Sequence, residues 1–104
     1  MPPIVRLTLF KIPDAAVVQQ AVNKYSTLSQ EAVKDGNQYI QISAGHVTHQ
    51  DSRSRGYTFV ARTVFLSKED MEYYDNEDAA HREIKALLKG KVEDGPPLVI
   101  YMDG

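Results

Sequence analysis

Along this chain apolar residues first alternate with polar ones, then recur every three to four positions, then alternate again. Residues 4–12 (IVRLTLFKI) are rich in β-branched and aromatic side chains and stop at Pro13, which predicts a strand. Val5, Leu7 and Leu9 make one face of it, and Ile4, Arg6, Thr8, Phe10 and Ile12 the other. Both faces are largely apolar, so each needs a cover. Asp14 can cap a following helix to about Asp35, with Val18, Val22, Tyr25, Leu28 and Ala32 on one stripe and Asp35-Gly36 as the stop. Residues 38–46 set Tyr39, Gln41 and Ser43 against Ile40, Ile42, Ala44 and His46, a half-buried strand. A polar loop over 47–55 leads to the strongest strand, 57–65. Ser67 and Asp70 fit a capping box that opens a short helix ending near Tyr74. Asn76 or Asp78 opens another, which buries Ala80, Ile84, Leu87 and Leu88 and ends before Gly90. Gly95-Pro96-Pro97 then precedes a last strand over 98–102.

The resulting order, β-α-β-β-α-α-β, predicts a ferredoxin-like α+β sandwich with one four-stranded antiparallel sheet, as a single domain over residues 1–104. The helices cover one sheet face. The other, expected to carry Ile4, Phe10 and Ile100, has no element left to bury it. A second copy of the same sheet is the economical cover, which predicts a homodimer paired sheet to sheet around a barrel-like cavity.

Composition narrows the function classes. The 104 residues are 42% hydrophobic and 25% charged, with a net charge of −2 spread among interspersed acids and bases, so no nucleic-acid partner is expected. There is no cysteine, hence no disulfide, thiolate nucleophile or thiolate metal site. The apolar N-terminal run is interrupted by Arg6 and Lys11 and resembles neither a signal peptide nor a membrane span, so a soluble, cytoplasmic protein is expected. His46 and His49 lie three apart, but no third ligand has a firm spacing; neither a metal nor a cofactor is expected.

One motif points elsewhere. Arg55-Gly56-Tyr57-Thr58-Phe59-Val60 falls on the third main strand, where RNA-recognition modules carry base-stacking aromatics, and Tyr57 and Phe59 would share a face. Against it stand Thr58, Arg62 and the acidic net charge. The remaining candidates are individual side chains. His81 lies at a helix N-terminus, which disfavours its protonated form, on the same flank as Ile84 and Leu88. Arg6 and Arg62 are strand guanidiniums among apolar neighbours, with Thr8 on the face of Arg6. Each needs a carboxylate, preferably across a subunit interface, or an anionic ligand.

With Phe10-Lys11-Ile12-Pro13 ending the first strand, Gly56-Tyr57-Thr58 opening the third, and Tyr73-Tyr74-Asp75-Asn76-Glu77-Asp78-Ala79-Ala80-His81 following, the chain resembles the stress-responsive dimeric α/β-barrel (Dabb) family over nearly its whole length. The resemblance implies the same sandwich, dimerised sheet to sheet, with an internal pocket for a small apolar or aromatic, polyketide-like ligand. Some members are stress-induced proteins. Others are polyketide cyclases similar to olivetolic acid cyclase, which implies His81 as general base, Tyr74 as a hydrogen-bond donor to substrate and Tyr25 as a pocket residue. An aldol closure needs that pair of functions, a base for a carbon acid and a donor for the enolate. The chain departs from the cyclase in having Val5 or Arg6, and Phe59, at positions of two further histidines, Ala79 in place of proline, and one extra residue between Tyr74 and His81.

Overall fold

In a computed structural model, which describes residues 2–49 and 51–104, the main sheet contains β1 (Ile4–Phe10), β4 (Ile40–His46), β5 (Phe59–Phe65) and β6 (Leu98–Asp103) in the order β4-β5-β1-β6. All neighbours are antiparallel. Helices α1 (Ala15–Glu31), α2 (Lys68–Asn76) and α3 (Ala79–Leu88) supply the covering layer, and α1 packs on β4 and against α3. This is the ferredoxin-like fold expected from the order of elements. Among the described residues no helix is long and apolar enough to cross a membrane. Gln50, in the predicted polar loop, lies outside the described residues.

Three capping side chains set the helix starts. Asp14 accepts from the Ala16 amide, Ser67 from Asp70, and Asp78 from both Ala80 and His81, each filling an orphan donor of a first turn. The first helix is shorter than predicted. It ends at Glu31, and Val33–Lys34 (β2) pairs with Asn37–Gln38 (β3) in a small hairpin. Asp35 (φ 53°) and Gly36 (φ 79°) are its two turn residues, so the Asp-Gly pair works as a hairpin turn with both φ values positive and not as a helix stop. Gln38 is consumed by this hairpin, which delays the next main strand to Ile40. Tyr57 and Thr58 likewise precede β5. Thr58 Oγ1 instead donates to the Ile12 carbonyl and accepts its amide, both at 2.9 Å, tying the exit of β1 to the entry of β5.

The alternation of β1 decides where everything else lies. Ile4, Arg6, Thr8 and Phe10 are buried, and their register partners Phe65, Thr63, Ala61 and Phe59 are buried with them under the helices. The expectation that Ile4 and Phe10 face away from the helices is therefore reversed, because α1 and α3 cover the face that includes Arg6 and Thr8. Phe59 is fully buried between Phe10 and Tyr25, with ring centroids 5.8 and 5.4 Å away. A base-stacking surface at Tyr57 and Phe59 is excluded by that burial. The face that stays open has Val5, Leu7 and Leu9 of β1, Val60, Arg62 and Val64 of β5, and Leu98, Ile100 and Met102 of β6. The three β6 side chains are exposed, Met102 by 53%.

Candidate active site

A cavity of about 770 Å³ lies within one chain, between the helix-side face of the sheet, α3 and the segment that follows α3. It is not the space between two sheets that the barrel reading anticipates. Phe10, Ile84, Leu88, Val92 and Val99 provide apolar wall, and Arg6, Thr8, Tyr25, Thr63, Tyr74 and His81 the main polar groups. Five of the six residues singled out from the sequence thus meet in one place: Arg6, Thr8, Tyr25, Tyr74 and His81. Arg62 does not. It sits one position off the Arg6 register, so the pleat points it to the open face, beside a shallow depression with Ser43 and Val60.

His81 is the best-defined group. Its ring stacks on Tyr74 with centroids 3.9 Å apart and planes 15° from parallel. Its Nδ1 lies 2.9 Å from the Tyr74 carbonyl oxygen, which can only accept, so Nδ1 holds the proton. The lone pair is consequently on Nε2, which has no hydrogen-bond partner among the described residues. Burial is the main cause that lowers the His81 pKa; the Tyr74 carbonyl opposes it and the Lys85 charge reinforces it. The ring is therefore neutral at neutral pH, in one tautomer, with a free acceptor nitrogen. The extra residue between Tyr74 and His81 does not part them. Glu77 and Asp78 turn the chain from α2 into α3 so that the last turn of one helix meets the first turn of the next.

Tyr25 and Tyr74, which line the same cavity as His81, are neutral phenols. Burial pushes the Tyr25 hydroxyl up to about 12, and burial together with the nearby Tyr25 moves Tyr74 up as well. Tyr73, adjacent to Tyr74, points away and meets Tyr39 edge-on, with ring centroids 5.6 Å apart.

Arg6 is 6% exposed and is neutralised from within its own chain, not across an interface. Its Nη1 donates to both oxygens of Asp75, at 2.9 and 2.8 Å, and its guanidinium carbon lies 5.1 Å from the Phe65 ring centre and 5.5 Å from that of Tyr74. Its Nε is buried with no partner. Asp75 is the residue most clearly missed from sequence. A buried arginine demands a carboxylate, but nothing in the spacing chooses among the acids of 69–78. Asp78 was anticipated only as a cap. It is buried, and besides the two amides of α3 it accepts the Tyr39 hydroxyl, which ties the residue just before β4 to the start of the helix that carries His81. Among the described residues no cluster of three potential metal ligands exists, and His46 is an exposed strand-end residue.

Comparison with known proteins agrees with this architecture. Residues 4–99 match the family model described as the stress responsive A/B barrel domain. A "Fusaristatin A biosynthesis cluster protein" of Gibberella zeae is 34% identical over 96 residues, covering 92% of this chain and 70% of that protein. A dimeric ferredoxin-like protein of unknown function from Thermobifida fusca superposes with a TM-score of 0.74 at 16% identity, over 99% of this chain and 92% of that one. The hydroxynitrile lyase of Passiflora edulis gives 0.71 at 13% identity, over 99% and 94%. At such identities the likeness to solved structures speaks for the fold alone; the family match and the 34% identical relative carry the assignment. The chain belongs to the stress responsive A/B barrel (Dabb) family.

Proposed function

We propose that this protein is a homodimer whose chains each bind a small, mostly apolar or aromatic carbonyl compound, polyketide-like in character, and that His81 removes a proton from it. The observation that carries this reading is the Nδ1 contact to the Tyr74 carbonyl, which leaves Nε2 as an acceptor beside a cavity large enough for a drug-sized molecule. The proton on a carbon next to a carbonyl passes to Nε2, and the electron pair moves onto the carbonyl oxygen. The neutral phenols of Tyr25 and Tyr74 are the donors available to that oxygen. From the enolate, attack on a second carbonyl of the same molecule closes a ring, which is the cyclase outcome. Return of the proton without ring closure leaves only exchange. A relative named for a biosynthesis cluster and a fold neighbour named a lyase are consistent with carbon-acid chemistry. The open apolar face of the sheet supports the dimer, as do fold neighbours described as dimeric.

The test is exchange of the methyl protons of an aryl methyl ketone in D2O, followed by proton NMR at neutral pH. The wild-type protein is expected to accelerate exchange, and His81→Ala to remove about 10²-fold or more of that acceleration while binding persists. Binding with no His81-dependent exchange reduces the protein to a ligand carrier. Neither binding nor exchange leaves a dimer without a small-molecule role, such as a purely stress-associated one.

A further inference from the structure

We infer that the ligand of this cavity carries a carboxylate, and that Arg6 is the residue that receives it. The inference rests on reading the cavity as a small-molecule site and adds the chemical class of the ligand. Its starting point is an incomplete ion pair. Asp75 takes both of its contacts from Nη1 alone, so the other edge of the Arg6 guanidinium, Nε and Nη2, has no partner among the described residues. A buried guanidinium donor without an acceptor is costly and uncommon in native proteins. That edge is also the planar fork that fits two carboxylate oxygens side by side. Asp75 leaves that edge empty, because both of its oxygens accept from Nη1 and its side chain is 39% exposed whereas that of Arg6 is 7% exposed.

Charge around the opening points the same way. Arg6, Lys85 and Lys89 line the cavity against the single carboxylate of Asp75, a cationic surplus in a chain whose net charge is −2. Lys85 is held in place there, its Nζ donating to the Asp75 main-chain carbonyl at 2.8 Å. A cleft with low-dielectric walls concentrates such a field and draws anions in. The rest of the lining joins apolar side chains to neutral hydroxyls, and one planar guanidinium in such a setting suits a singly charged carboxylate on an apolar body.

The experiment compares two probes of one shape, 2-naphthoate and 2-naphthamide, by heteronuclear NMR titration of the whole chain at low ionic strength. The carboxylate is expected to bind about tenfold tighter than the amide, with the largest shifts at Thr8, Thr63 and the Arg6 side chain. In Arg6→Gln the two affinities should converge while the amide's stays near its wild-type value. In Arg6→Lys, which keeps the charge and loses the fork, the preference should fall several-fold; this variant decides the matter should Arg6→Gln not fold. Lys85→Gln with Lys89→Gln leaves the interior intact and should remove only the salt-sensitive part of the preference. Equal binding of both probes to the wild type overturns the carboxylate and leaves the cavity reading standing, as does a preference that survives Arg6→Gln and Arg6→Lys. Failure of both probes to bind overturns the cavity reading itself.

Discussion

The two faces of the sheet differ in what they bury and what they leave open. The face under the helices has an arginine and two threonines, Arg6, Thr8 and Thr63, in its buried centre, whereas the face without cover presents Val5, Leu7, Leu9, Leu98, Ile100 and Met102. Polar side chains inside and apolar ones outside both oppose the hydrophobic effect unless something else completes each surface. The difference separates two tasks. The apolar face suits a large, flat, apolar partner, which on the reading proposed above is a second copy. The buried polar groups are those that the proposed small molecule, with its acidic group and reactive carbon, would complete. One β-strand serves both, because successive residues of β1 alternate between the tasks.

The sharpest way to break this comparison is to charge the open face. Leu9→Asp is expected to convert the dimer to monomer, raising its dissociation constant by about a hundredfold or more, since a carboxylate flanked only by Val60 and Leu98 would be desolvated at the interface without a partner. Sedimentation velocity across a concentration series reads this directly, and a dimer that persists in Leu9→Asp refutes sheet-to-sheet pairing. On the covered face, Phe59→Ala should cost about 3–5 kcal/mol in denaturant unfolding, because a fully buried ring between Phe10 and Tyr25 is lost. An effect near zero would mean that this face is not the core. A smaller effect belongs to the ion pair. Asp75→Ala leaves Arg6 buried and uncompensated, but solvent reaches the Asp75 side, so about 1–2 kcal/mol is expected by the same measurement.

The weakest effect concerns pH. His81 has a lowered pKa in the folded chain, so below its ordinary value near 6.5 the unfolded chain takes up a proton that the folded one refuses. Stability from this group is thus complete above about pH 6.5 and falls as the pH drops towards the lower folded value, with a slope of at most about 1.4 kcal/mol per pH unit. His81→Gln should flatten that part of a stability–pH profile. An unchanged slope would mean that His81 is not the group held neutral.

Much of this was legible beforehand, and the misses have physical causes. Element order, the caps at Asp14, Ser67 and Asp78, and the dimer-like open face follow from periodicity and turn chemistry. The gathering of Tyr25, Tyr74 and His81 came through the family likeness. Which face of β1 meets the helices did not follow from periodicity, because both faces are mainly apolar and the sequence alternates without ranking them. That one choice misplaced Ile4 and Phe10. The short hairpin of β2 and β3 was hidden for another reason: Asp-Gly can end a helix or turn a hairpin, and only the pairing of Val33–Lys34 with Asn37–Gln38 selects the second. Asp75 escaped because an ion pair between residues 69 positions apart leaves no local trace.

The joint between α2 and α3 has a consequence of its own. The proton on His81 is held by a main-chain oxygen that belongs to a different helix, so the choice of tautomer depends on the angle at which two rigid rods meet, and no single side chain governs it. Substitution of any one neighbour leaves that oxygen in place; inserting or deleting a residue at Glu77 or Asp78 would rotate one rod against the other and move it. Side chains lining the chamber can therefore be exchanged without moving the oxygen that holds this proton, because it belongs to the main chain.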